Sequence, residues 1–232
     1  MSALFDKIGK KTLIHDYHRH CLIPAFNVVF KKDKRPFNLI LFDAHTDACN
    51  PDTLRDRGFK DLIKNTPDLS TLDIQSVCER NLSKNDDDWV IAGMELGIIS
   101  NVLIVMGTQR PGQCSPSRYK DQTGKMHSLQ YMSLAKPNEA FDFNNWDQVS
   151  RGVGDQEISN NLWLNFDMDC FTYNNDCNQV IDSYNFERVF IRDGLIIQIA
   201  KKSRLVTIAK TLTHCPRINN LTNNLIQKLN LS

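Results

Sequence analysis

Residues 39–47 read L-I-L-F-D-A-H-T-D, and residues 162–171 read L-W-L-N-F-D-M-D-C-F. Each is an apolar run without polar alternation, the pattern of a strand buried on both faces of a parallel sheet. Each ends abruptly in acidic residues. Parallel α/β sheets present their functional side chains at the carboxyl ends of their strands. These two stretches therefore predict both the fold class and the place of the site.

Working outward, the strong strand extends over 37–42, after a basic, proline-containing K-K-D-K-R-P at 31–36 that predicts a surface turn. Residues 51–88 are polar and broken by Gly58 and Pro67, which suits a loop with short helical pieces. Residues 86–99 predict an amphipathic helix through Trp89, Ala92, Met94, Leu96 and Ile99, with acidic residues in its first turn favourable to the helix dipole. A buried strand follows at 100–106, then a long loop rich in Gly, Pro, Ser and Gln at 107–125. After the second acidic cluster, helical periodicity spans 186–203 through Phe190, Leu195, Ile196 and Ile199, a short strand covers 205–209, and an amphipathic helix covers 221–231. Strands alternate with helices and no repeat or low-complexity linker interrupts them, which predicts one doubly wound α/β domain over residues 1–232.

Composition narrows the function classes. The 232 residues carry 28 basic and 27 acidic side chains, a net charge of +1, so no long-range field favours nucleic acid or an anionic membrane. No apolar segment has the length of a signal sequence or a membrane span, and a cytoplasmic protein is expected. The 7 cysteines lack C-x-x-C spacing, which disfavours a disulfide framework or a zinc ribbon and suits reduced thiols. There is no P-loop and no G-x-S-x-G elbow.

The acidic clusters carry the chemistry. If the first strand stays extended, Asp43, His45 and Asp47 point the same way, because side chains alternate, and Asp167 and Asp169 share that spacing. Four carboxylates crowded at strand ends call for a cation. Oxygen and imidazole donors without thiolates suit Mn²⁺ and similar ions. His18 or His20, in H-D-Y-H-R-H at 15–20, would supply a further ligand to a two-ion site, and the sequence leaves open which. His127, beyond the long loop, is a candidate catalytic proton carrier.

D-A-H-T-D at 43–47 is similar to the D-A-H-x-D signature of the arginase and agmatinase (ureohydrolase) superfamily, and F-D-M-D at 166–169 looks like its second D-x-D signature. The upstream D-Y-H-R-H at 16–20 resembles a motif of an allied, mostly uncharacterised branch that includes peptide arginases. The resemblance implies a three-layer α/β/α fold of the arginase/deacetylase kind with a mainly parallel sheet. It implies two Mn²⁺ ions, with Asp43 and Asp167 each touching both, His18 and Asp47 completing one, and His45 and Asp169 the other. A hydroxide bridging them would attack a guanidinium or amide carbon. The implied activity is Mn-dependent hydrolysis of a C–N bond in a small-molecule or peptide substrate, the guanidino group of a peptide arginine or of a small guanidino compound, with Asp43 and Asp167 in the catalytic centre; the alternatives are a deacetylase-like amide hydrolase and a non-catalytic metal-binding member acting through protein interactions. The sequence departs from the pattern late: Leu212 and Thr213 stand where the allied branch shows proline and glutamate. A neutral threonine cannot make a bidentate pair with a guanidinium.

Overall fold

The computed structural model describes residues 6–8, 12–48, 51–85, 87–106, 116–133, 161–173, 176–181, 186–187, 190, 194–210 and 218–230. Its strands are β1 (Asp6–Ile8), β2 (Thr12–His15), β3 (Phe37–Asp43), β4 (Ile99–Met106), β5 (Arg118–Lys120), β6 (Met126–Ser133), β7 (Leu162–Asp167), β8 (Thr172–Tyr173), β9 (Asp176–Val180) and β10 (Leu205–Ala209). Its α-helices are α1 (Leu22–Val28), α2 (Pro51–Asp56), α3 (Phe59–Asn65), α4 (Ile74–Arg80), α5 (Trp89–Glu95), α6 (Leu195–Lys202) and α7 (Ile218–Asn230).

Eight strands form one sheet in the order β1-β2-β10-β7-β3-β4-β6-β5. The six inner strands run parallel, and only the short edge strands β1 and β5 pair antiparallel. The continuous apolar runs have the cause inferred for them: alternate residues of one strand enter two different cores. Leu39 and Leu41 join Val102, Ile104 and Trp163 in a core shared with α1, α4 and α5. Ile40 and Phe42 join Leu103, Val105, Leu164 and Phe166 in the opposite core, with α6 and α7. The result is three layers, α/β/α.

This strand order positions the site. From β3 the chain moves outward to β4 and β6, then returns to β7 on the other side of β3 and proceeds to β10. The crevice beyond the carboxyl ends of β3 and β7 is thus a topological switch point, where open α/β sheets bind ligands. Phe42 and Phe166 are register partners, so Asp43 and Asp167, one residue on, stand side by side there.

Several predicted boundaries move. The helix over 86–99 is shorter: Gly97 turns left-handed at φ 68° and Ile99 already belongs to β4. Asp88 lies at the cap position before α5 rather than in its first turn; it is fully buried, 2.5 Å from Arg57 and accepting from the Ser83 amide. Of the helix over 186–203, α6 begins only after Gly194, and of the residues before Gly194 the described ones are 186–187 and 190. The turn over 31–36 is a wide π-type turn, Val29–Asp33, ended by Lys34 at φ 53°. Part of the predicted loop is a hairpin: β5 pairs with β6, and Asp121 closes the turn by accepting from the Thr123 and Lys125 amides. Residues 107–115 of that loop lie outside the described residues. Among the described residues, no helix is long and apolar enough to cross a membrane.

Candidate metal centre

The carboxylates converge for a reason other than strand alternation. β3 stops at Asp43, whose Oδ1 accepts the His45 amide at 2.7 Å, a side-chain turn that bends the chain at once. Asp47 is left-handed, φ 46°, a conformation uncommon outside glycine. Its carbonyl accepts the Val90 amide at 3.1 Å and its Oδ2 accepts the indole N–H of Trp89. β7 likewise ends at Asp167, whose Oδ1 accepts the Asp169 amide at the start of a 3-10 turn, Met168–Phe171. Asp169 reaches across to accept the Ala44 amide at 3.1 Å, tying the two loops together.

His18 arrives from a third direction, in the 3-10 turn His18–Cys21 that joins β2 to α1. Its Nδ1 lies 2.8 Å from Asp47 Oδ2, 3.1 Å from Asp43 Oδ2 and 3.3 Å from Asp167 Oδ2. Its other nitrogen, Nε2, is 2.6 Å from Oδ1 of Asn165 in β7. On the far side, His45 Nδ1 is 3.2 Å from Asp169 Oδ2 and 3.6 Å from Asp43 Oδ1. Two groups of potential ligands result, His18 with Asp43 and Asp47, and Asp43 with His45 and Asp169, each with its donor atoms within 4.8 Å of one another. Asp43 belongs to both. The His45 side chain is 56% exposed while Asp43 is 1% exposed, so the cluster opens to solvent on the His45 side.

The electrostatics are those of a site built for more positive charge than its side chains supply. Burial pushes Asp47 well above the usual carboxylate range, and the neighbouring Asp43 adds to it. Burial, with Asp167 and Asp43 beside it, raises Asp169 to about 7. Burial would lower His18, but the Asp47, Asp167 and Asp43 carboxylates override it and hold the imidazole well above its ordinary value. Asp169 and then Asp43 raise His45 to about 11. Burial works against the Asp43 anion, yet the His18 and His45 imidazoles beside it hold its pKa below normal. Protons thus neutralise this cluster when nothing else does. A divalent cation would do so better. Asp43 Oδ2 is buried and its 3.1 Å approach to His18 lacks hydrogen-bond geometry, as expected of an atom aimed at a cation. Neighbouring ligand atoms of a small octahedral cation bound at about 2.1 Å stand about 3 Å apart, close to the spacings around His18 Nδ1. The residues present fit a pair of divalent ions.

No model of a known protein family matches the chain, and no curated protein matches it. Solved structures do. A hypothetical agmatinase from Burkholderia thailandensis is similar to it with TM-score 0.50 at 14% identity, covering 95% of this chain and 58% of that one. Proclavaminate amidino hydrolase from Streptomyces clavuligerus gives TM-score 0.54 at 10% identity, covering 94% and 61%. The fold is the arginase/agmatinase fold. The chain spans about three fifths of the length of these two structures.

On this ureohydrolase fold, the sequence-predicted residues divide. His18, Asp43, His45, Asp47, Asp167 and Asp169 meet at the switch point. His20 does not join them: its ring is buried and packs edge-on against Tyr17, with centroids 5.4 Å apart. One turn of 3-10 helix cannot aim both histidines at one point. His127 is corrected as well. It sits at the start of β6, its Nδ1 2.7 Å from the Ser100 carbonyl and its Nε2 3.1 Å from Asp121. Met106, not Ser100, is level with Asp43, so His127 lies roughly 20 Å from the cluster at about 3.3 Å per residue. It braces the β5–β6 hairpin, away from the end of the sheet where the carboxylates meet. Thr213 lies outside the described residues. Three residues that support the cluster were not foreseen: Trp89, read as core packing, and the buried strand residues Asn165 and Thr207. For Asn165 and Thr207 the signal in the sequence was a polar residue inside an otherwise apolar strand.

Proposed function

We propose that this chain is a dinuclear metal-dependent hydrolase of C–N bonds, with Mn²⁺ as its metal and the guanidino group of a small molecule or a peptide arginine as its substrate. The observation that carries this is the sharing of Asp43 between two ligand groups at the switch point of a ureohydrolase fold. His18, Asp43, Asp47 and Asp167 would hold one ion, and Asp43, His45, Asp167 and Asp169 the other. When bound, such a pair supplies Lewis acidity and a water of lowered pKa. The chain's own residues set the conditions for it. Trp89 fixes the Asp47 carboxylate, the Ala44 amide fixes Asp169, and the exposed His45 marks the side from which a substrate enters. Hydrolysis adds one water across the C–N bond and releases urea and a primary amine.

Thr213 in place of the late glutamate favours a second reading, amide rather than guanidine hydrolysis, because a neutral side chain suits a neutral substrate. One experiment separates the two. Purified protein loaded with Mn²⁺ is assayed for urea from arginine, agmatine and an arginine peptide, and for acetate from an acetyl-lysine peptide. Urea release supports the guanidine reading and acetate release the amide reading. Two bound ions with neither product would leave a metal-binding protein without hydrolase activity and refute both.

A further inference from the structure

The His18 ring has two faces to its chemistry, and the second is held by residues on two other strands. Nε2 lies 2.6 Å from Asn165 Oδ1, and the Asn165 amide nitrogen donates to Thr207 Oγ1 at 2.7 Å. Thr207 Oγ1 also accepts the indole N–H of Trp163 at 2.7 Å. Asn165, Thr207 and Trp163 are all 0% exposed. Asn165 and Thr207 are register partners on β7 and β10, so the relay is fixed by the sheet itself.

An imidazole can ligate a cation through Nδ1 only if that nitrogen carries a lone pair, which places the ring proton on Nε2. An Nε2–H requires an acceptor, and Asn165 offers one only if its oxygen faces His18 and its NH₂ faces away. That orientation in turn requires Thr207 to present a lone pair. Because an indole N–H can only donate, Trp163 occupies one lone pair of Thr207 and leaves the other for Asn165. With Asn165 in that orientation, the His18 Nε2–H, the Asn165 N–H and the Trp163 indole N–H each meet an acceptor.

We propose, on the basis of the two-ion centre above, that Asn165 and Thr207 are positioning residues: they hold His18 in the Nε2–H tautomer with Nδ1 directed at the first ion, and so set the affinity of that position and not of the one at His45. Groups that orient a metal-ligating histidine in this way typically govern metal affinity by 10- to 100-fold.

The test uses the full chain in a His45→Ala background, where the first position alone is titrated with Mn²⁺ by calorimetry. Thr207→Val keeps the shape and removes the acceptor; it should weaken binding at least ten-fold, and Thr207→Ser should restore it to within about three-fold. In the chain with His45 present, Thr207→Val should leave the second position's affinity unchanged. Should Thr207→Val fold poorly, Asn165→Asp, which keeps an acceptor toward Nε2, should retain the first ion while Asn165→Leu loses it. ¹⁵N NMR of the Zn²⁺-loaded protein should show a proton on Nε2 of His18. Unchanged affinity in Thr207→Val and Asn165→Leu, equal weakening of both positions, or a proton on Nδ1 would overturn the relay while leaving the two-ion centre standing. A wild-type chain that takes up no ion would overturn both.

Discussion

Replacing Trp89 by Phe removes one atom group that matters, the indole N–H. Trp89 is fully buried, its ring 4.7 Å from His18 and 5.7 Å from Trp163, and its N–H is donated to Asp47. Phe keeps most of the packing and leaves Asp47 Oδ2 without that donor. A buried hydrogen bond to a carboxyl group contributes about 1.5–3 kcal/mol when the group is charged and about 1 kcal/mol when it is neutral. In the metal-free protein burial and the neighbouring Asp43 push Asp47 toward its neutral form, so the smaller figure is taken, with about 1 kcal/mol more for the smaller ring. A loss of about 2 kcal/mol corresponds to roughly 4–8 °C in Tm for a chain of this size. With an ion bound the carboxylate is charged, so the loss grows, and Mn²⁺ should dissociate on the order of ten times more readily. Differential scanning calorimetry with and without Mn²⁺ reads both effects. A Trp89→Phe protein with wild-type Tm and wild-type Mn²⁺ affinity would refute the assignment of the indole as the support of Asp47.

Binding of a divalent ion should release protons and strengthen as pH rises. Asp169 in the metal-free fold titrates near 7 against 3.8 ordinarily, so the stability its proton confers is full below pH 3.8 and lost as pH rises through about 7. His45, near 11 against 6.5, contributes stability that is full below pH 6.5 and lost as pH rises through about 11. Both protons oppose the ion, so Mn²⁺ affinity should climb between pH 6 and pH 8, and calorimetry in two buffers of different ionisation enthalpy should report proton release; pH-independent affinity would count against it. His127→Gln should lower stability by about 1–3 kcal/mol in urea denaturation through the broken contacts to Ser100 and Asp121, and leave Mn²⁺ affinity alone. Leu164→Ala, at a site 1% exposed between the sheet and α6, should cost about 2–5 kcal/mol by the same measurement, with metal stoichiometry unchanged.

The strands β3, β4, β7 and β10 were legible because each is buried on both faces over most of its length and reads as a largely apolar run. β6, M-H-S-L-Q-Y-M-S, mixes polar and apolar residues near the sheet's edge, and β1 is three residues long; neither leaves a pattern a sequence can announce. The ligand carboxylates were legible as residues but not as geometry. Strand alternation was the expected cause of their convergence, whereas Asp43 and Asp167 each end their strand and turn the residue two positions on, His45 and Asp169, through a side-chain turn. The choice between His18 and His20 depends on which way a 3-10 turn faces, and Asn165 meets Thr207 across a gap of 42 residues that only the sheet register closes. His127 was misread because a histidine beyond a long loop carries no mark of which end of the sheet it occupies.

The central claim is that the switch point binds two divalent ions that share Asp43. Anomalous diffraction from crystals soaked in Mn²⁺ tests it most directly. Two peaks are predicted, one against His18, Asp43 and Asp47 and one against Asp43, His45 and Asp169, both absent in Asp43→Asn. No peak between the ends of β3 and β7, or both peaks persisting in Asp43→Asn, would contradict it.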